Sequence, residues 1–314
     1  MKIDYLFRLR RLTLTAGAVL LLAFAALSVT AQPKNSQPES RFAKLDGARV
    51  HYVNYGKGDD ALVLIHGWTQ NIDAWRDQIP EFAKHYRVIA LDLPGHGKSD
   101  KPQFSNESVP KDQPRKPFVY SMDHFARAVE AVMRDAKVKR AVLAGHSMGT
   151  PVARQFYRKY PEKTLGIIIV DGSLRPFGNQ AIVDQLIANL RSPSYSTAID
   201  QMFGMMFGPG LPADTQQRIK ASTANTPQYV LVSAFEGMAD SGIWGEDKIN
   251  LPVLAVMAKN PFLPPDAEES FRVIAPKMEF HMWDNVGHFL MMEKPNEFNA
   301  AVIAWLAKNG LLKK

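Results

Sequence analysis

The stretch Ala141-Val142-Leu143-Ala144-Gly145-His146-Ser147-Met148-Gly149-Thr150 decides how this chain is read. A short apolar run, Ala141 to Ala144, ends in Gly-x-Ser-x-Gly, and a helix-compatible segment, Pro151 to Tyr160, follows at once. A strand that turns directly into a helix forces its turn residue into a strained backbone conformation. Gly145 and Gly149 lack the Cβ atoms that would collide in so tight a turn. The turn lifts the Ser147 hydroxyl to a helix N-terminus, where free N–H groups and the helix dipole favour negative charge. A serine so placed can attack a carbonyl and have the resulting oxyanion stabilised.

The neighbouring segments repeat one rhythm. Ala61 to Ile65, Arg87 to Asp92 and Leu165 to Val170 are apolar runs of strand length, as in a parallel sheet buried on both faces. Arg49 to Tyr55 reads as an earlier hairpin strand. Between the runs lie helix-compatible segments, Asn71 to Tyr86 (interrupted by Pro80) and Tyr120 to Ala136 with Phe125, Val129, Val132 and Met133 on one face. Alternation of strand and helix predicts a mostly parallel twisted sheet with helices on both faces, an α/β fold. Lys101 to Pro117, with four prolines and several charges, is an exposed loop. Residues 177–249 break the rhythm with helical patterns at Ile182 to Leu190, Ser196 to Phe207, Asp214 to Ala221 and Pro227 to Ala239. They read as a helical cap inserted before the last two strands, Pro252 to Met257 and Met278 to Trp283, and a final helix, Pro295 to Lys308. The core is therefore expected at 41–176 and 250–314.

At 314 residues and 46% hydrophobic content the chain can bury a large core. Its net charge is +7, of which Lys2, Arg8, Arg10 and Arg11 against Asp4 supply three. The rest is too dispersed to argue for nucleic acid. The absence of cysteine excludes disulfides, thiolate chemistry and cysteine metal sites. Nothing in the sequence points to a metal or a nucleotide: Gly95-His96-Gly97 and Gly56-Lys57-Gly58 lack the context of phosphate loops. No cofactor is expected. Residues 1–31 read as an export signal, with arginines before an apolar run (Leu14 to Val29) and a small-residue site at Val29-Thr30-Ala31. A retained N-terminal anchor is the alternative, and membrane contact is expected only through that segment. Residues 32–40 read as a linker. The expected location is periplasmic or secreted.

Four pieces together resemble the α/β-hydrolase fold family. They are His66-Gly67-Trp68, Asp92-Leu93-Pro94-Gly95-His96-Gly97-Lys98-Ser99, Gly145-His146-Ser147-Met148-Gly149, and Gly287-His288-Phe289 with Glu293-Lys294-Pro295 behind it. The resemblance runs from about Ser40 to the C-terminus, the cap matching in position only. It implies Ser147 as nucleophile and His288 as its base. It implies the backbone N–H groups of Trp68 and Met148 as the oxyanion donors. His66 is expected to brace its loop. The family's usual acid follows the next-to-last strand, but here that strand continues Ala258-Lys259-Asn260-Pro261 with no carboxylate. Asp171, after the strand that succeeds the serine turn's helix, resembles the acid position of several haloalkane dehalogenases. Asp266 or Glu268, or a triad without an acid, stay open. Trp68, Met202 and Met206 are candidate substrate contacts, since a methionine- and phenylalanine-rich stripe, Met202 to Phe207, suits an apolar group. The resemblance implies hydrolysis of a small ester or lactone. Carbon–carbon hydrolysis, proline iminopeptidase activity and acyl transfer remain open on the same fold, as does a non-catalytic ligand-binding role.

Overall fold

The computed structural model describes residues 38–106, 110, 112–176, 178–260 and 263–312. The export-signal reading of 1–31 and most of the linker lie outside them. Among the described residues no helix is long and apolar enough to cross a membrane.

One eight-stranded sheet organises the molecule, in spatial order β1-β2-β4-β3-β5-β6-β7-β8. The strands are β1 (Glu39–Leu45), β2 (Ala48–Tyr55), β3 (Asp60–Ile65), β4 (Val88–Leu91), β5 (Arg140–His146), β6 (Thr164–Val170), β7 (Val253–Ala258) and β8 (Met278–Trp283). β2 pairs antiparallel with β1 and β4, and every other neighbour pair is parallel. The central runs are apolar throughout because helices cover both faces; Leu62, Leu64, Leu143, Ile168 and Val256 are fully buried.

The helices are α1 (Ile79–Phe82), α2 (Met122–Asp135), α3 (Gly149–Lys159), α4 (Gln180–Arg191), α5 (Tyr195–Met206), α6 (Ala213–Ala224), α7 (Gln228–Ala239), α8 (Ala267–Ile274), α9 (Leu290–Glu293) and α10 (Pro295–Lys308). α2 starts where Ser121 accepts the His124 N–H, an N-cap. α4 to α7 form the cap, at nearly the expected positions.

Three elements differ from the reading of the sequence. β1 was not expected, and it begins at Glu39 inside the stretch 32–40 read as linker. It is an edge strand whose first four side chains face solvent, so no apolar alternation marks it. The Asn71–Tyr86 segment forms a single 3₁₀ turn, Ile72–Trp75, and the four-residue α1, with Pro80 in its first turn. α8 joins β7 to β8, where the sequence reading placed no helix.

Candidate active site

The parallel strands bring Ser147, Asp171 and the Ala258 amide to one edge of the sheet. β5 ends at His146, and Ser147 adopts φ +51° while its N–H donates to Val170 O (3.0 Å). A Cβ on Gly145 would lie 2.2 Å from Gly149 O, and one on Gly149 would lie 2.4 Å from Ile65 O. Both glycines are thus required by backbone-to-backbone contact. His146 and Met148 are buried, whereas Ser147 keeps part of its surface open.

Asp171 is the first residue past β6 and also lies in the left-handed region, with φ +42°. Its N–H donates to Val256 O (2.9 Å), and its buried Oδ1 accepts the Ala258 N–H (2.8 Å). Oδ2 faces His288 Nδ1 at 2.6 Å. With Nδ1–H given to the carboxylate, His288 Nε2 is left as the proton-accepting nitrogen. His288 is brought to Ser147's neighbour: the His146 and His288 rings are 4.8 Å apart, and His146 Nε2 donates to His288 O (2.9 Å). Among the described residues the Ser147 hydroxyl makes no hydrogen bond.

The other acid candidates stand elsewhere. Asp266 is exposed at the start of α8, and Glu268 pairs with Arg272 (2.7 Å). Asn260, at the position where the family pattern has its acid, closes a turn: Nδ2 donates to Ala258 O (3.1 Å) and Oδ1 accepts the Leu263 N–H (3.0 Å). The end of β7 thus contributes a main-chain donor to Asp171 in place of a carboxylate.

The His66–Gln70 loop lies against the serine turn. A Cβ on Gly67 would sit 3.1 Å from Ser147 Cβ. Among the described residues neither the Trp68 nor the Met148 N–H donates to a protein acceptor. Buried amides are nearly always paired, so two free ones beside one serine suit an oxyanion. His66 accepts the Leu93 N–H through Nε2 (2.9 Å) and donates Nδ1–H to Gly67 O (2.8 Å), which is the bracing role expected of it. Burial pushes the His66 ring down from its ordinary value, against the smaller opposite pull of Gly67 O and Asp92. His146 is driven further down, by burial first and by its proximity to His288.

The sequence profile of the alpha/beta hydrolase fold matches residues 60–295. The chain belongs to the alpha/beta hydrolase fold family. A soluble epoxide hydrolase from Corynebacterium sp. (strain C12) is 27% identical over 282 residues, covering 81% of this chain and 92% of that protein. Epoxide hydrolase 1 of Caenorhabditis elegans is 33% identical over 155 residues, 46% of this chain, and the match spans about a third (35%) of that protein's length. Among solved structures, an esterase from Exiguobacterium antarcticum superposes with a TM-score of 0.73 at 18% identity, over 86% of this chain and 100% of that one. The N-acyl homoserine lactone degrading enzyme Est816 gives a TM-score of 0.67 at 23% identity, over 84% and 99%. These structural likenesses speak for the fold.

In this member of the fold family the cap grips both loops of the candidate site. The Trp68 indole donates to Leu231 O in α7 (3.0 Å) and its ring meets Phe235 edge-on, so the side chain anchors the cap. Met206 O accepts the His288 N–H (2.8 Å), and the Glu293 carboxylate accepts from Gly287 N (2.8 Å) and Gly210 N (2.7 Å). Phe203 and Phe207 stack on each other and both reach Phe289. Met202 lines a small cavity between α4, α5 and α7 with Leu186, Leu190, Ile199 and Phe235, away from the His288 loop that Met206 touches. Sequence reasoning missed Thr69, Ser222, Thr223 and Thr226, because buried hydroxyls leave no periodic signal. It also missed the buried His51–Asp92 pair (2.8 Å), which holds the loop opened by Asp92. Asp92 further accepts the Ile72 and Lys98 amides. Among the described residues no group of three His, Asp or Glu could hold a metal.

Proposed function

We propose that this protein is an exported serine hydrolase that cleaves a carboxylic ester or lactone bearing an apolar group, through an acyl-serine intermediate. The Ser147 hydroxyl attacks the carbonyl carbon and passes its proton to His288 Nε2. Asp171 holds the imidazole in the tautomer that can receive it and stabilises the imidazolium. The Trp68 and Met148 N–H groups receive the oxyanion. His288 then protonates the leaving alcohol, or the ring-opened hydroxyl of a lactone, and activates water to release the acid and restore Ser147.

One observation carries the reading: a serine on the strained turn follows His146, whose ring is 4.8 Å from that of His288, and His288 Nδ1 is 2.6 Å from a buried aspartate. Two of the relatives are epoxide hydrolases by name; the reading here rests on this chain's own residue at the turn, which is Ser147. Two fold neighbours, an esterase and an N-acyl homoserine lactone degrading enzyme, support ester or lactone cleavage. Phe203, Phe207, Phe289 and Met206 around His288 favour an apolar acyl or alcohol group. Export rests on the arginines and apolar run of residues 1–31.

A fluorophosphonate probe tests the chemistry. Covalent labelling of the parent is expected, lost in Ser147→Ala and at least tenfold slower (about) in His288→Ala. A parent that takes up no label is a ligand-binding member and not an enzyme of this kind. N-terminal sequencing of the protein from the periplasm or medium tests export; a start near Gln32 is the expected result.

A further inference from the structure

Thr69 has the least expected backbone conformation in the cap-facing part of the site. The Gln70 N–H donates to Gly67 O (3.2 Å), closing a four-residue turn in which Thr69 is third, at φ +66°. Trp68, the second residue, is not among the positive-φ positions. That combination is the pattern of a type II turn, whose third position favours glycine. A β-branched residue is crowded there and stays only where its surroundings over-determine it.

Those surroundings are cap hydroxyls. Thr223 Oγ1 gives its hydrogen to Ile219 O (3.1 Å), so the 2.9 Å contact with Thr69 Oγ1 has Thr69 as the donor. Thr69 Oγ1 accepts in turn from Gln70 Nε2 (3.1 Å). Ser222 Oγ donates to Thr69 O (2.9 Å) and accepts from Asn71 Nδ2 (2.9 Å). Thr226 Oγ1 shares one hydrogen between Ser222 O (3.2 Å) and Thr69 O (3.4 Å), so Ser222 is the main hold on that carbonyl. Thr69, Gln70, Ser222, Thr223 and Thr226 are all buried. The bonds fall on the Thr69 side chain and carbonyl, which are the atoms that would move if φ relaxed to a negative value. Such a relaxation swings the Thr69 carbonyl and the following Gln70 N–H, which leaves Gly67 O; Gly67 O is the other end of the peptide that carries the Trp68 N–H, so that amide is left with only the His66 Nδ1–H bond (2.8 Å) to fix its plane.

We propose that Ser222 and Thr223 are positioning residues: they hold Thr69 in the left-handed region and thereby aim the Trp68 N–H at the oxyanion. One half of the oxyanion hole is then built by the cap. This rests on the acyl-serine reading above and adds the residues that regulate its electrostatics. Losing one oxyanion donor typically costs two to three orders of magnitude; partial misaiming costs less.

The test measures the second-order rate of fluorophosphonate labelling at Ser147 in the full chain, beside the thermal midpoint. The double variant Ser222→Ala/Thr223→Val is expected to label about 30-fold more slowly. Adding Thr69→Gly to it is expected to recover the rate to within about threefold of the parent, since glycine keeps positive φ unaided. Where the double variant does not fold, Ser222→Ala alone replaces it, with the same direction and the same glycine rescue. A merely structural hydroxyl cluster would lose further stability with glycine and show no rescue. Unchanged labelling in the folded variant, or a slow rate that glycine leaves slow, overturns the positioning role while leaving the acyl-serine reading intact. A parent that does not label at Ser147 overturns both.

Discussion

The serine turn and the Gly67–Gln70 turn meet beside Ser147, and each holds one residue with positive φ and one free amide, yet they are held by different means. The serine turn is fixed by contact. Gly145 and Gly149 touch backbone on faces where any side chain would collide, and Gly172 lies where a Cβ would be 2.0 Å from Thr150 Oγ1. All of these partners belong to the sheet or to α3. The Gly67–Gln70 turn is fixed by hydrogen bonds to α6 and the residues after it. Steric fixing is stiff and independent of the cap. Hydrogen-bonded fixing is conditional on the cap being seated, and a cap that carries the apolar stripe can then link substrate contact to oxyanion geometry.

The largest expected effect lies on the stiff side. Asp171→Asn should lower the acylation rate by about 10⁴-fold with the unfolding midpoint nearly unchanged, because the imidazole loses its tautomer-fixing partner. Pre-steady-state acylation with an activated ester measures it; a rate within tenfold (about) of the parent would remove Asp171 from the acid role. Gly149→Ala comes next. Its Cβ would meet a main-chain oxygen that cannot yield, so a loss of about 3 kcal/mol in urea unfolding is expected, together with loss of labelling. If the variant is as stable as the parent, the serine turn is not fixed by contact.

Gly208→Ala probes the cap side. Its Cβ would meet the Glu293 carboxylate and the Gly287 N–H at 2.2 Å, prising α5 off the His288 loop. A roughly tenfold fall in kcat is expected, with a stability loss of about 1 kcal/mol, smaller than for Gly149→Ala. Equal stability losses in the two variants would erase the distinction between the sheet side and the cap side of the site. The pH acts on stability. A buried histidine held neutral precedes each turn: His146 and His66 both lie below their ordinary 6.5, and neighbouring His96 is pushed down to about 3. Burial is the leading cause in all three. A folded-state pKa below the unfolded one gives stability that is complete above pH 6.5 and is lost as the pH falls toward the folded value. Stability should therefore drop by about 1.4 kcal/mol per pH unit per histidine below 6.5. Urea titrations at pH 6.5 and 5.5 should show a shallower drop in His146→Gln; an unchanged slope would mean that His146 takes up its proton in the folded state.

Much of the architecture was legible. The runs at Ala61, Val88, Ala141, Leu165 and Val253 are buried on both faces, so hydrophobicity alone marks them as strands. β1 escaped because an edge strand with one covered face and a charged start resembles a linker. The cap helices were visible from their periodicity, but not what they touch. Ser147 and His288 were legible as candidates from the residues that flank them. Asp171 was one of several open possibilities, since three carboxylates lie within reach in sequence and only the sheet register puts one of them next to Ala258 N and His288 Nδ1.

By itself the chain's order of residues determined the sheet, the serine turn and the family, because burial and tight turns act over a few neighbouring residues and leave local marks. The tertiary structure alone decided the histidine's partner and the support of the second amide. Asp171 meets His288 across 117 positions, and Thr69 meets Thr223 across 154. Hydrogen bonds of that span depend on distances and angles that composition and periodicity do not encode.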